Sequence, residues 1–306
     1  MKEDRPLVEP WRARGGMLGL AVGDALGAPL EFSSRERAGD AVGRGLEMAG
    51  GGPWEPGEWT DDTALALAQA ESIAAHGLLD TADLARRYIA WADSGPKDIG
   101  NTTRAALQGA SDDEDARNRA REFHERTGRS AGNGTVMRAA PIALAARSRE
   151  EAFDAARADA VLSHHDPAAG MSSAALCAAL LAINCGEPPL DAALGLVEGH
   201  AALEGALRSA EAEDEEALAA LASNQLGACW TTLAIALYAH DRFDEYESGV
   251  TWAIGLGGDT DTNGAVAGAL LGCRDGADGI PQRWRSALRD RERVERAAAG
   301  LSGGTE

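Results

Sequence analysis

The chain is short of the residues that most binding chemistries rely on. Aromatic side chains make up 5% of its 306 residues, and 29 Lys and Arg face 49 Asp and Glu, so the formal net charge is −20 and the pI is near 4.7. Nucleic-acid and anionic-membrane partners both require a basic face, and neither is expected. The four cysteines, Cys177, Cys185, Cys229 and Cys273, show no C-x-x-C spacing. Three of them lie in apolar helical stretches and read as core thiols of a reducing compartment rather than as metal ligands or disulfides. Met1-Lys2-Glu3-Asp4-Arg5-Pro6 contains no hydrophobic leader, and the apolar run Ala174–Cys185 falls short of the roughly 20 residues that span a bilayer, so a cytoplasmic location is expected. Common catalytic signatures are missing too. There is no G-x-x-x-x-G-K-[ST], no H-E-x-x-H and no G-x-S-x-G, since Gly170-Met171-Ser172-Ser173-Ala174 lacks the final glycine. Gly132-Asn133-Gly134 is followed by Met137 where a dinucleotide fingerprint needs glycine. Nucleophile-based hydrolysis therefore has no support, and metal-assisted chemistry remains.

What the chain does have is helical periodicity. Apolar residues recur at helical spacing over Arg12–Ala25, Asp61–Ala75, Ala82–Trp91, Asn101–Gly109, Thr135–Ala145, Ala152–Leu162, Pro167–Ile183, Leu190–Val197, Leu226–Ala239, Asp244–Ile254 and Thr262–Leu271. Gly77, Gly109, Gly186 and Gly272 stand where C-terminal caps belong. No period-two strand pattern competes. The expected fold is all-α, a single compact orthogonal multi-helical domain spanning residues 1–306 with its site at helix N-termini. The least order is expected in Gly39–Gly57, in the charged stretch Ser111–Gly128, and in mobile tails over about 1–10 and 298–306. Trp91, Trp230 and Trp252 read as core residues rather than ligand stackers.

Two acidic segments stand out, Glu58-Trp59-Thr60-Asp61-Asp62-Thr63 and Gly257-Gly258-Asp259-Thr260-Asp261-Thr262-Asn263-Gly264. Each opens an apolar helix. Acidic residues suit a first helical turn, but carboxylates carried into a core need a positive counterpart, and no nearby Lys or Arg supplies one. With Thr60, Thr63, Thr260 and Thr262 interleaved, the donor set is hard oxygen, which suits Mg²⁺ or Mn²⁺ rather than zinc. Taken alone, the first segment is equally an N-cap with an acidic first turn. The second imitates half of an EF-hand loop, but Leu270 occupies the twelfth position, where a bidentate Glu is required.

Read in order, the motifs are Gly19-Leu20-Ala21-Val22-Gly23-Asp24-Ala25-Leu26-Gly27-Ala28-Pro29-Leu30-Glu31-Phe32, Trp59-Thr60-Asp61-Asp62-Thr63, Asp98-Ile99-Gly100-Asn101-Thr102-Thr103, Gly132-Asn133-Gly134-Thr135-Val136-Met137-Arg138-Ala139-Ala140-Pro141, Ser163-His164 and Gly257-Gly258-Asp259-Thr260-Asp261-Thr262-Asn263. In this order the chain resembles the ADP-ribosylglycohydrolase family. The resemblance implies hydrolysis of the glycosidic bond of an ADP-ribosylated protein or small molecule by a water activated at a binuclear Mg²⁺ or Mn²⁺ centre. It implies Thr60, Asp61, Asp62, Asp259, Asp261 and Thr262 as metal ligands, with Glu31 at the edge as gate or general base and Asp61, Asp62 and Asp261 also catalytic. Gly132, Asn133, Gly134, Thr135 and Met137 would line the diphosphate pocket, Gly100, Asn101 and Thr102 would repeat that chemistry, and Asp98 would receive a cationic leaving group. His164 would touch the diphosphate or distal ribose, although a capping histidine is equally consistent with its place at a helix end. A monomer is expected. Two other readings stay open: a non-catalytic ADP-ribose-binding protein of this fold and a structural, crystallin-like relative. The acceptor linkage (arginine, serine, nucleobase or free metabolite) and the residue stacking on adenine are left undecided.

Overall fold

Glycines spaced four apart lie on one face of a helix, and Gly15, Gly19, Gly23 and Gly27 form such a row on α1 (Pro10–Gly27). Facing them across an antiparallel partner, α15 (Thr260–Asp275), are Gly272, Gly268 and Gly264. The two backbones touch. A Cβ on Gly15, Gly19 or Gly23 would lie 2.1, 2.1 or 2.0 Å from the carbonyl oxygen of Gly272, Gly268 or Gly264. Among the described residues, no other helix pair is in such extensive contact.

The computed structural model describes residues 5–303 and among them contains seventeen α-helices and no sheet. Between α1 and α15 lie α2 (Arg35–Gly43), α3 (Asp61–His76), α4 (Thr81–Asp93), α5 (Asn101–Leu107), α6 (Asp113–Thr127), α7 (Ala140–Ala145), α8 (Arg149–Ala160), α9 (Pro167–Cys185), α10 (Pro189–Val197), α11 (Ala201–Glu211), α12 (Glu215–Asn224), α13 (Cys229–Arg242) and α14 (Tyr246–Gly255). The last two helices are α16 (Gln282–Ala287) and α17 (Arg291–Leu301). The all-α expectation holds. α9 is long and apolar enough to cross a membrane, but 83% of its most apolar window is buried, packed against α7, α8, α10, α13 and α15. It is a core helix.

Several boundaries differ from the periodic pattern. Thr135–Ala145 is not one helix: a 3-10 turn at Asn133–Thr135 precedes α7, because Pro141 has no N–H to donate in a helix interior and fits only near a helix start. Ser111–Gly128, expected to be loose, holds α6, capped by Asp112 and complemented by Asp113, Glu114 and Asp115 in its first turn and His124 and Arg126 in its last. Ala116 and Ala120 bury a narrow face too short to register as a pattern. Ser34 caps α2, whose last residues, 39–43, run into the stretch expected to be irregular. Gly272 lies within α15 and serves the contact with α1, whereas Gly276, at φ +74°, ends the helix. The start of the chain is anchored as well: Val8 is buried, and Leu7 bonds to Ala146 and Asn184. At the other end α17 includes 298–301, while residues 1–4 and 304–306 lie outside the described part. Cys177, Cys229 and Cys273 are buried free thiols, and Cys185 is exposed at the end of α9. Trp91, Trp230 and Trp252 are half-buried against the core, and Trp284 is the fully enclosed tryptophan.

If backbone contact is what requires these glycines, Gly23→Ala should destabilise the protein by about 1–3 kcal/mol through overpacking. In contrast, Gly205→Ala, in the middle of α11 with nothing within 4 Å of the added Cβ, should stabilise it by roughly 0.5–1 kcal/mol. Urea denaturation of both variants checks the contrast, and effects of equal sign would remove the constraint from this contact.

Candidate metal centre

Asp24 sits on α1 in an otherwise apolar helix and is fully buried. Its carboxylate accepts from the Thr60 N–H (3.0 and 3.1 Å), the Thr63 N–H (3.0 Å) and the Thr63 hydroxyl (2.6 Å). These are orphan donors of the α3 N-terminus, so Asp24 docks that helix end on α1. Thr60 caps α3 by accepting from the Asp62 N–H, and its hydroxyl donates to Asp62 Oδ2 (3.1 Å). Thr262, in the first turn of α15, donates to the same oxygen (3.4 Å). The two acidic segments are thereby brought together across 200 residues of sequence.

The entry to α15 is shaped by Gly257 and Gly258, both at φ +74°, where an added Cβ would strike Ser33 O at 2.7 Å or Ala222 O at 2.4 Å. The Phe32 N–H donates to Gly258 O (2.7 Å) and the Gly258 N–H to Ser33 O (2.9 Å), tying the segment after Glu31 to this loop. Thr260 donates its hydroxyl to Gly27 O (2.9 Å). As a result, Glu31, Asp98 and Asp261 each place a carboxylate oxygen within 4.8 Å of the other two. Asn133, from the 3-10 turn, donates to Asp259 Oδ2 (2.9 Å) and to Thr232 (3.0 Å).

Packing so many carboxylates together raises their proton affinity. Glu31 is pushed up to about 8, first by burial and then by Asp98, Asp259, Asp61 and Asp24. Asp61 also rises to about 8, from loss of solvent and then from Asp98, Asp24 and Asp259, although part of the residue stays open to water. Asp62 and Asp261 rise well above the carboxylate range, and Asp98 rises too, in each case with burial as the first cause. Asp24 rises only to about 6, because four hydrogen bonds from Thr60 and Thr63 offset its burial. No Lys or Arg forms an ion pair with any of these groups among the described residues; Lys97, adjacent to Asp98 in sequence, is held by Glu58 at 2.6 Å. Asp62 Oδ1 is buried with no hydrogen-bond partner. A bare anionic oxygen among hydroxyls and carboxylates fits a hard divalent cation.

The sequence-derived residues fall on two walls. Thr60, Asp61, Asp62, Asp259, Asp261, Thr262 and Glu31 surround the acidic centre, with Asp98 beside Glu31 and Asp261. Gly100 caps α5, which begins with Asn101 and Thr102. On the other wall, His164 packs on the loop of Gly132, Asn133, Gly134 and Thr135: a Cβ on Gly132 would lie 2.9 Å from His164 Nε2, and one on Gly134 would lie 2.9 Å from Cε1. Met137 is buried behind that loop. Two donors of the loop are already occupied, the Asn133 N–H by Gly227 O (2.8 Å) and the Thr135 hydroxyl by Ala169 O (3.1 Å). Sequence reasoning assigned no role to Asp24 or to the buried pair Arg138–Asp159 (3.0 Å). The signal was present: a single carboxylate in the apolar Gly19–Gly27 helix, and an arginine within the apolar run Val136–Ala146, are costly unless each has a dedicated partner.

Comparison with known proteins gives the family and the fold. The sequence model of the ADP-ribosylglycohydrolase family matches residues 8–306. The chain is 33% identical over 287 residues to the ADP-ribosyl-[dinitrogen reductase] glycohydrolase of Rhodospirillum rubrum, covering 90% of each. It is 30% identical over 300 residues to the ADP-ribosylarginine hydrolase Tri1 of Serratia proteamaculans, covering 95% of this chain and 78% of the relative. Among solved structures, an ADP-ribosylglycohydrolase-related protein complex superposes with a TM-score of 0.73 at 34% identity, covering 99% of both chains.

The raised carboxylates predict a pH dependence whose sign is fixed. Groups that hold protons more tightly in the folded state stabilise it fully below their unfolded values near 4, and that contribution is lost as pH rises through about 8 for Glu31 and Asp61. The melting temperature of chelated protein should therefore fall between about pH 4 and 8, and the rise produced by Mg²⁺ or Mn²⁺ should grow over the same interval. Asp261→Asn should narrow the gap between chelated and cation-loaded protein. A melting temperature indifferent to both cations across this range would count against the centre.

Proposed function

The chain belongs to the ADP-ribosylglycohydrolase family, a family of hydrolytic enzymes, and from that premise we propose that it is a divalent-cation-dependent hydrolase releasing ADP-ribose from a protein side chain. The observation that carries this reading is the acidic centre itself, in which Asp62 keeps a buried, unpartnered oxygen among carboxylates that form no ion pair among the described residues. Thr60, Asp61, Asp62, Asp259, Asp261 and Thr262, with Glu31 at the edge, would hold two Mg²⁺ or Mn²⁺ ions. Such ions supply Lewis acidity toward ribose hydroxyls and ready ionisation of a water near neutral pH.

The protein's own groups do the rest. Glu31, half-buried beside Asp98 and Asp261, is positioned to take a proton from the attacking water once a cation restores its ionised form. The Gly132–Gly134 backbone and His164 would form the wall for the diphosphate, the missing Cβ atoms letting the imidazole lie directly on the loop. Asp98 supports arginine as acceptor: a departing guanidinium would meet a carboxylate whose proton affinity is raised, first by burial and then by Asp259. The names of the Rhodospirillum and Serratia relatives, both concerned with protein- or arginine-linked ADP-ribose, point the same way. A non-catalytic or crystallin-like role is disfavoured because the full set of carboxylates and hydroxyls is retained at the centre. The expected setting, a cytoplasmic monomer without nucleic-acid or membrane partners, rests on the acidic charge and the free thiols.

A hydrolysis panel of arginine-, serine- and nucleobase-linked ADP-ribose, run with Mg²⁺, Mn²⁺ or chelator, tests the proposal. Arginine-linked substrate should be cleaved and chelation should abolish turnover; full activity after exhaustive chelation sinks the metal-dependent reading. Glu31→Gln should lower turnover by about 10²–10⁴, the usual cost of losing a general base, while calorimetric affinity for ADP-ribose changes little.

A further inference from the structure

Arg138 is fully buried, and each of its hydrogen bonds goes to a group behind the His164 wall. Nε donates to Asp159 Oδ2 (3.0 Å), Nη1 to the Gly134 carbonyl (2.7 Å), and Nη2 to Ser163 Oγ (2.9 Å) and the Asp159 carbonyl (3.3 Å). Asp159 is completed by the Tyr88 hydroxyl at 3.0 Å. Ser163 Oγ in turn lies 2.8 Å from His164 Nδ1.

Only one arrangement of protons along this chain gives the Ser163 hydroxyl proton an acceptor among the described residues. A guanidinium can only donate, so Ser163 Oγ accepts from Arg138. The single hydroxyl proton of Ser163 then has His164 Nδ1 as its acceptor, and no other acceptor for it is found among the described residues. Nδ1 is therefore unprotonated and the ring proton is on Nε2, the atom that faces the Gly132–Gly134 loop and makes no hydrogen bond to a described residue. Burial first, and the Arg138 charge second, hold the imidazole down at about 3, so the ring stays neutral.

We infer that Arg138 is a positioning residue that, acting through Ser163, fixes His164 as the Nε2–H tautomer and so presents a neutral hydrogen-bond donor to the anionic oxygens of the ligand. The same guanidinium draws the Gly134 carbonyl inward, which turns an acceptor away from the ligand side of the loop. One buried cation thus orients two neutral elements of the wall without meeting the ligand. The ligand part of this inference rests on the proposed ADP-ribose chemistry; the tautomer does not.

Nitrogen-15 NMR of the histidine-labelled, ligand-free protein, with the His164 signals assigned by their loss in His164→Gln, reads the tautomer directly. Wild type should show a protonated Nε2 and an unprotonated Nδ1. Ser163→Ala keeps the Arg138–Asp159 pair but removes the relay, so it should give mixed tautomers and bind ADP-ribose about tenfold more weakly, equivalent to ~1.4 kcal/mol. Ser163→Thr should restore both. A protonated Nδ1 in wild type, or a Ser163→Ala protein with unchanged tautomer and unchanged affinity, overturns the inference. Absence of ADP-ribose binding by a wild type with the expected tautomer would instead sink the proposed function and leave the Arg138 relay standing.

Discussion

Backbone contact between α1 and α15 is the constraint on which the site depends. Helices meeting through side chains lie roughly 8–10 Å apart and tolerate some sliding. The glycine row between Gly15 and Gly27 removes those side chains, and the Thr260 hydroxyl on Gly27 O fixes the register at the site end. A slip of one turn, about 5.4 Å, would separate Asp62 from Thr262 and carry Glu31 away from Asp261. Asp24 extends the same frame to α3 by satisfying that helix's first amides, so three segments remote in sequence are registered by a single pair of helices.

Hydrogen bonding divides the buried carboxylates into two kinds. Asp24 is saturated by Thr60 and Thr63, and these donors stabilise its ionised form against the cost of burial. It holds structure together. Asp62 and Asp261 have far fewer donors, and Asp62 retains an oxygen with none. Their proton affinity is raised first by burial and then because the folded chain brings them together with no ion-pair partner among the described residues. That is a stability cost in the metal-free protein, and a divalent cation held there, as proposed, would relieve the repulsion.

Much of this was legible in the sequence because the responsible signals are local. The acidic openings at Asp61 and Asp261 could be read as helix starts on apolar helices, and the order of the motifs pointed to one site. The long apolar helices around Ala66, Leu180 and Ala267 were equally plain. Helices α6 and α12 escaped because each buries only a narrow stripe on a polar surface, whereas α11 and α17 carry a plain i, i+3, i+4, i+7 pattern, in Leu203, Ala206, Leu207, Ala210 and in Val294, Ala297, Ala298, Leu301, that was overlooked. Gly272 was mistaken for a cap because the partner that requires it is Gly15, at the far end of the chain. Asp24 and Arg138 were invisible as site residues for the same reason: their meaning lies in contacts with Thr63, Asp159 and Ser163 that no spacing rule encodes.

The acidity of the chain poses one further question, since a protein of net charge −20 is expected to hold a diphosphate. Surface lysines or arginines at the His164 wall would be drawn to the acidic centre a short distance away and would compete with the cations it is built to hold. Neutral donors avoid that conflict: an imidazole with its proton on Nε2 and glycine amides free of Cβ atoms can bind anionic oxygens without pairing with Asp61 or Asp259. Arg138 is withdrawn into the core and paired with Asp159, so its charge reaches this wall only through the orientation and the neutral state of His164. On the proposed reading, cations at the acidic centre would supply the positive charge and the His164 side the neutral donors, so that an acidic chain would hold an acidic ligand without surface bases.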